Sequence, residues 1–184
     1  KGISYCRRMM LSIIELGLPI AYESVFSGAE EYFHDLPSYT AIGARTTESQ
    51  EHRSIASFAR QPVGMKNPTS GDVGIGVNSV LAAQSPHMFI WHHRQVESQG
   101  NPFAHLILRG GKSGPNISPE ELRMTALTLT KKGVVNPAIV VDCSHDNSLD
   151  LQKGGKDHSL QGKVLAGVLA AMREDGLVKR TIKG

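Results

Sequence analysis

Ala41-Ile42-Gly43-Ala44-Arg45-Thr46-Thr47-Glu48-Ser49-Gln50 passes from an apolar run into a polar turn and then into a helix-opening pattern. Ala41–Ala44 is too short for a helix and reads as a buried strand, while Thr47-x-x-Gln50 has the form of a capping box opening a helix through about Ala59. An Arg between a strand end and a helix start suits an anion, because its guanidinium is a bidentate fork and the helix N-terminus offers free N–H groups. The same plan recurs on both sides. Pro19–Tyr22 runs into Glu23, Pro62–Met65 into Lys66, Leu106–Leu108 into Arg109, and Ala138–Ser144 into His145.

Helical segments separate these runs. Ile3–Leu16 carries apolar residues at helical spacing and stops at Gly17; Ala29–Leu36 is a short helix before Pro37; Val73–Ala83 and Leu160–Met172 repeat the pattern. Ser118-Pro119-Glu120-Glu121 is a strong helix start, and that helix should end near Gly133. Met88–Trp91 is a further apolar run before a polar stretch from His92 to Pro102, and Leu177–Ile182 reads as the start of one more strand. Alternating helix and strand predicts a parallel sheet with right-handed crossovers. Its C-terminal rim, where such folds bind ligands, would collect Glu23, Arg45, Lys66, Arg109 and His145. Those charges describe a pocket for a small polyanion together with a metal.

The chain has 184 residues, which predicts a single domain over 1–184. A closed eight-stranded β/α barrel typically takes ~250 residues. The expected fold is therefore α/β, a (β/α)8 TIM barrel that is incomplete, with first strands and last strand missing. Such a barrel would expose strand edges and invite completion by another chain, so a homo-oligomer is expected. A net charge of +3 with scattered basic residues and 5% aromatics argues against a nucleic-acid surface. No apolar stretch approaches the ~20 residues of a membrane span, no basic-then-apolar leader is visible, and Cys6 and Cys143 stand in unlike contexts. A reduced, cytoplasmic protein without membrane association is the expectation.

Each candidate also has a plainer reading. Arg45 either grips phosphate or carboxylate or bridges to a loop carboxylate. Lys66 either meets a negative ligand, forms a Schiff base, or snorkels to solvent. Arg109 precedes Gly110-Gly111, where the backbone can turn sharply. His145 could ligate a metal, move a proton or bond a loop. Glu23 could hold a water or pair with a neighbouring cation. Gly71-Asp72-Val73-Gly74-Ile75-Gly76 has the wrong spacing for a dinucleotide fingerprint and reads as a loop entering a helix. His92 and His93 are adjacent and so point different ways. Cys143 reads as a packing residue.

Taken in order, Gly17-Leu18-Pro19, Ala41 to Gln50, Pro62-Val63-Gly64-Met65-Lys66-Asn67, Ile107-Leu108-Arg109-Gly110-Gly111 and Asp142-Cys143-Ser144-His145-Asp146-Asn147-Ser148 closely resemble the type I, microbial 3-deoxy-D-arabino-heptulosonate-7-phosphate (DAHP) synthases. The resemblance implies a (β/α)8 barrel that condenses phosphoenolpyruvate with erythrose 4-phosphate with the help of a divalent metal. It implies that Arg45 and Arg109 hold the phosphoenolpyruvate phosphate with the Ala44 N–H, that Lys66 meets the carboxylate, that Glu23 positions a water, and that His145 ligates the metal. The family's other metal ligands, a Cys of the first barrel strand and acids of the eighth strand and beyond, lie in regions this chain does not contain, as does a basic Lys-Pro-Arg-Thr segment. The stretch between Trp91 and His105 is shorter than the family's usual hairpin, part of its effector region. Two alternatives stay open: a truncated non-catalytic relative that binds phosphorylated metabolites or pairs with a fuller synthase, and a Lys66 Schiff-base aldolase.

Overall fold

Parallel pairing orders the chain. In the computed structural model, which describes residues 2–150 and 152–184, β1 (Ala21–Ser24), β2 (Tyr39–Ile42), β3 (Val63–Lys66), β6 (His105–Leu108) and β7 (Ile139–Val141) lie side by side in that order. Every neighbouring pair is parallel. All four residues of β6 are buried, as expected for a strand covered on both faces. The architecture is mixed α/β. The described residues form no closed barrel.

Among the described residues seven helices accompany the sheet: α1 (Gly2–Glu15), α2 (Ser27–Phe33), α3 (Gln50–Phe58), α4 (Val73–Gln84), α5 (Pro119–Lys131), α6 (Gln161–Glu174) and α7 (Gly176–Thr181). Ile42, Met65, Leu106, Leu108 and Ile139 pack with Val77 and Val80 of α4, Leu122 and Leu129 of α5, and Val168 and Val178 of α6 and α7 in one core. Met10, Ile20 and Phe33 form a smaller cluster that ties α1 and α2 to the edge. The α5 capping box forms as read from the sequence, with Ser118 and Glu121 bonding each other's backbone N–H.

Four expectations need correction. First, β1 begins at Ala21, leaving Pro19, which has no N–H to give a ladder, outside it and Glu23 within it. Second, α3 is capped by Ser49, which accepts from the His52 N–H, and not by Thr47. Successive turns, Thr46 N–H to Gly43 O and Ser49 N–H to Thr46 O, delay the helix. Third, Met88–Trp91 is β4 of an antiparallel hairpin with β5 (Arg94–Glu97), outside the main sheet. His92 and His93 make its two-residue turn with φ of 49° and 58°, and Phe58 meets the Phe89 ring edge-on and the Trp91 ring at a tilt. Fourth, Leu177–Thr181 is helical, because the Asp175 carboxylate accepts from the Leu177 and Val178 N–H groups and caps α7. Strand-like pairing starts only at Ile182, with Lys183 N–H to Ile139 O and Val141 N–H to Gly184 O beside β7.

Candidate active site

Because five strands run the same way, the residues at their C-terminal ends meet. Glu23, Ala44, Arg45, Lys66, Arg109 and His145 line a single cleft of about 530 Å3, together with Thr69 and Lys156. Glu23 and Lys66 come from β1 and β3 and reach across β2, with Lys66 Nζ donating to Glu23 Oε1 at 3.3 Å. The Lys66 side chain is only 11% exposed, so it does not snorkel to solvent, while Glu23 is 48% exposed. Among the described residues Arg45 has no ion-pair partner, and no loop carboxylate bridges it. Its guanidinium lies exposed in the turn before α3.

Arg109 is the most enclosed charge of the rim, with its side chain 6% exposed. Nη1 donates to Asp146 Oδ2 at 2.5 Å, and Nε is buried without a partner. Lys156, on the small hairpin of β8 (Leu149–Asp150) and β9 (Gly155–Lys156), puts Nζ 3.5 Å from the other Asp146 oxygen.

A buried amide network fixes this end of the sheet. Asn67 Oδ1 accepts from the Arg109 N–H and from Asn116 Nδ2, and Asn67 Nδ2 donates to Gly110 O. Asn116 Oδ1 accepts from the Gly110 N–H, while Asn147 Oδ1 accepts from the Asn116 N–H. Asn147 Nδ2 donates to Leu108 O and Asp142 O. Three strand ends are thereby joined through side chains that can both donate and accept. Gly110 has φ of 75°, and a Cβ there would lie 2.6 Å from the Asp146 carbonyl carbon, so only glycine allows the two backbones to approach.

His145 has φ of 50° and starts a short 3-10 turn over His145–Ser148. Its Nδ1 lies 2.7 Å from Asp142 Oδ2 without hydrogen-bond alignment, which leaves Nε2 as the ring's other ligating atom. Among the described residues no group of three or more His, Cys, Asp or Glu side chains could hold a metal. The described residues therefore do not by themselves make a metal's ligand set. Cys143 is half-buried, and burial pushes its thiol pKa up, away from the thiolate a ligand or nucleophile needs.

Sequence reading missed Asp146, Lys156 and the three asparagines. Asn67 and Asn147 each follow within two residues of an expected rim residue, a usable signal; nothing local joins Asn116 or Lys156 to the rim.

Comparison with known proteins gives a consistent result. The model of the DAHP synthetase I family matches residues 9–179. The chain is 39% identical over 178 residues to the Tyr-sensitive phospho-2-dehydro-3-deoxyheptonate aldolase of Escherichia coli, covering 94% of this chain and 48% of that protein. It is 37% identical over 170 residues to the phospho-2-dehydro-3-deoxyheptonate aldolase of Corynebacterium glutamicum, 90% of this chain and 44% of that one. The solved structure of the phospho-2-dehydro-3-deoxyheptonate aldolase of Francisella tularensis superimposes with a TM-score of 0.85 at 37% identity, covering 98% of this chain and 51% of that chain. The chain thus spans about half the length of the curated relatives it matches.

Proposed function

The chain belongs to the DAHP synthetase I family, and on that footing we propose that it forms the central part of a synthase joining phosphoenolpyruvate to erythrose 4-phosphate to give DAHP, the first step of the shikimate pathway. The observation that carries this reading is the meeting of Arg45, Lys66 and Arg109 in one cleft at the C-terminal ends of parallel strands. In this reading the five strands are part of a (β/α)8 barrel whose remaining strands lie outside this stretch.

Phosphoenolpyruvate carries a phosphate and a carboxylate, and the rim offers two guanidiniums and an ammonium for them. Arg109 and Arg45 clamp the phosphate, with the Ala44 N–H assisting, and Lys66 takes the carboxylate. So held, the methylene carbon faces the aldehyde carbon of erythrose 4-phosphate, and the new C–C bond forms between them as the enol C=C and aldehyde C=O π bonds break and the aldehyde oxygen takes the proton that the added water gives up. Water then adds at the enol carbon that bears the phosphate, and cleavage of that C–O bond releases inorganic phosphate. Glu23, half-exposed beside Lys66, positions the water. The divalent ion implied by the resemblance belongs to the proposal as well: His145 would give it one nitrogen, with the other ligands outside the described residues.

The test is an assay on the intact protein that contains this stretch. Phosphoenolpyruvate should disappear only when erythrose 4-phosphate is present, with one inorganic phosphate released per molecule consumed, and Lys66→Met should reduce the rate by at least about a hundredfold. No consumption by the unaltered protein overturns the reading. Borohydride trapping of a carbonyl substrate on Lys66 would replace it with Schiff-base aldolase chemistry.

A further inference from the structure

We propose that Asp146 is a built-in counter-ion of the anion site, occupying the Arg109 guanidinium until a phosphate-bearing ligand arrives and so weakening and selecting what binds there. This rests on the function proposed above, because it concerns the same cleft.

Arg109 Nη1 is taken by Asp146 Oδ2 at 2.5 Å, and Lys156 Nζ stands 3.5 Å from Asp146 Oδ1. One carboxylate therefore bridges two of the cations that line the cleft. The bridge is held from behind. The Asp146 N–H donates to Arg109 O at 3.1 Å, and the Asp146 backbone is packed against Gly110, so the loop stays in place and the carboxylate gives way to a ligand only by turning its side chain. The Arg109 backbone is fixed as well, its N–H tied to Asn67 Oδ1, and its side chain is only 6% exposed.

A phosphate entering this site must therefore compete with Asp146 for Arg109 or lie beside a like charge, and both weaken binding. The buried, unpaired Arg109 Nε marks a donor that Asp146 leaves unused and that a ligand oxygen could take. The carboxylate should penalise multiply charged anions most.

Isothermal titration of the intact protein with inorganic phosphate separates this from a purely structural ion pair. Asp146→Asn keeps the shape and the ability to accept from Arg109 while removing the charge. It should bind phosphate about tenfold more tightly or better, with a steeper loss of affinity as salt is raised. Asp146→Ala, which removes both oxygens, should bind more tightly than the unaltered protein as well, and circular dichroism reports whether each variant is folded. Unchanged or weaker phosphate binding by a folded variant, with an unchanged salt slope, overturns the proposal. Failure of the synthase reading shows up separately, as phosphate binding without any consumption of phosphoenolpyruvate.

Discussion

Lys66 and Glu23 meet across a strand: their ion pair, at 3.3 Å, passes over Gly43 at the end of β2, and a Cβ on Gly43 would lie 3.0 Å from Glu23 Oε1. The missing side chain is what lets a residue of β1 reach a residue of β3. Gly43→Ala should push the Glu23 carboxylate aside at little cost to stability, because that carboxylate is the half-exposed end of a flexible chain. Turnover should fall tenfold or more, while the melting temperature changes by only a few degrees. Steady-state rates and thermal melts of the variant check both parts.

Arg109→Lys should weaken phosphoenolpyruvate binding by about tenfold to a hundredfold, since an ammonium replaces a planar fork and abandons Asp146 as well as the ligand. Titration calorimetry reads the change directly. Unchanged affinity would remove Arg109 from the phosphate clamp.

Asn147→Ala leaves Leu108 O, Asp142 O and the Asn116 N–H without their partner in a buried site. The expected loss is about 2–3 kcal/mol of stability. Chemical denaturation measures it, and a loss below about 0.5 kcal/mol would mean that water replaces the amide freely.

Below the rim, at the opposite end of the strands, burial lowers the pKa of His105 from its ordinary 6.5. The neutral ring is held by Phe103 O on Nδ1 and the Tyr39 hydroxyl on Nε2, each at 2.9 Å. The unfolded chain binds the proton more readily, so stability is fully present above pH 6.5 and is lost as pH falls through the folded value. The slope contributed by one such group is at most about 1.4 kcal/mol per pH unit. Melting from pH 7 downward should show this loss, and His105→Gln should flatten it.

The β4–β5 turn asks two histidines to adopt positive φ, at a cost of roughly 1–2 kcal/mol for a residue with a Cβ. Replacing His92-His93 by Asn-Gly should raise the melting temperature by several degrees without altering the cleft, which this turn does not line. A lower melting temperature would show that the His92 and Trp91 rings, with centroids 5.2 Å apart, contribute more than the turn strain costs.

The alternation of elements and the rim residues were legible in the sequence because buried parallel strands are continuous apolar runs and the charge after each run marks its end. The hairpin was not: Met88–Trp91 is as apolar as β6, and its partner Arg94–Glu97 carries three polar residues among four. His-His is also not a sequence that announces a hairpin turn. The helix at Leu177 reads as a strand in the sequence because its cap, Asp175, precedes a run too short to show helical periodicity. Within the cleft, charged residues at strand ends could be read one by one, whereas the Arg109–Asp146–Lys156 chain depends on a hairpin that only the folded loop reveals.

The most direct measurement is a crystal structure of the intact protein grown with phosphoenolpyruvate. The phosphate should lie within hydrogen-bond distance of the Arg45 and Arg109 guanidiniums, with the carboxylate toward Lys66. A phosphate bound away from these three side chains would contradict the assignment of this rim as the substrate site.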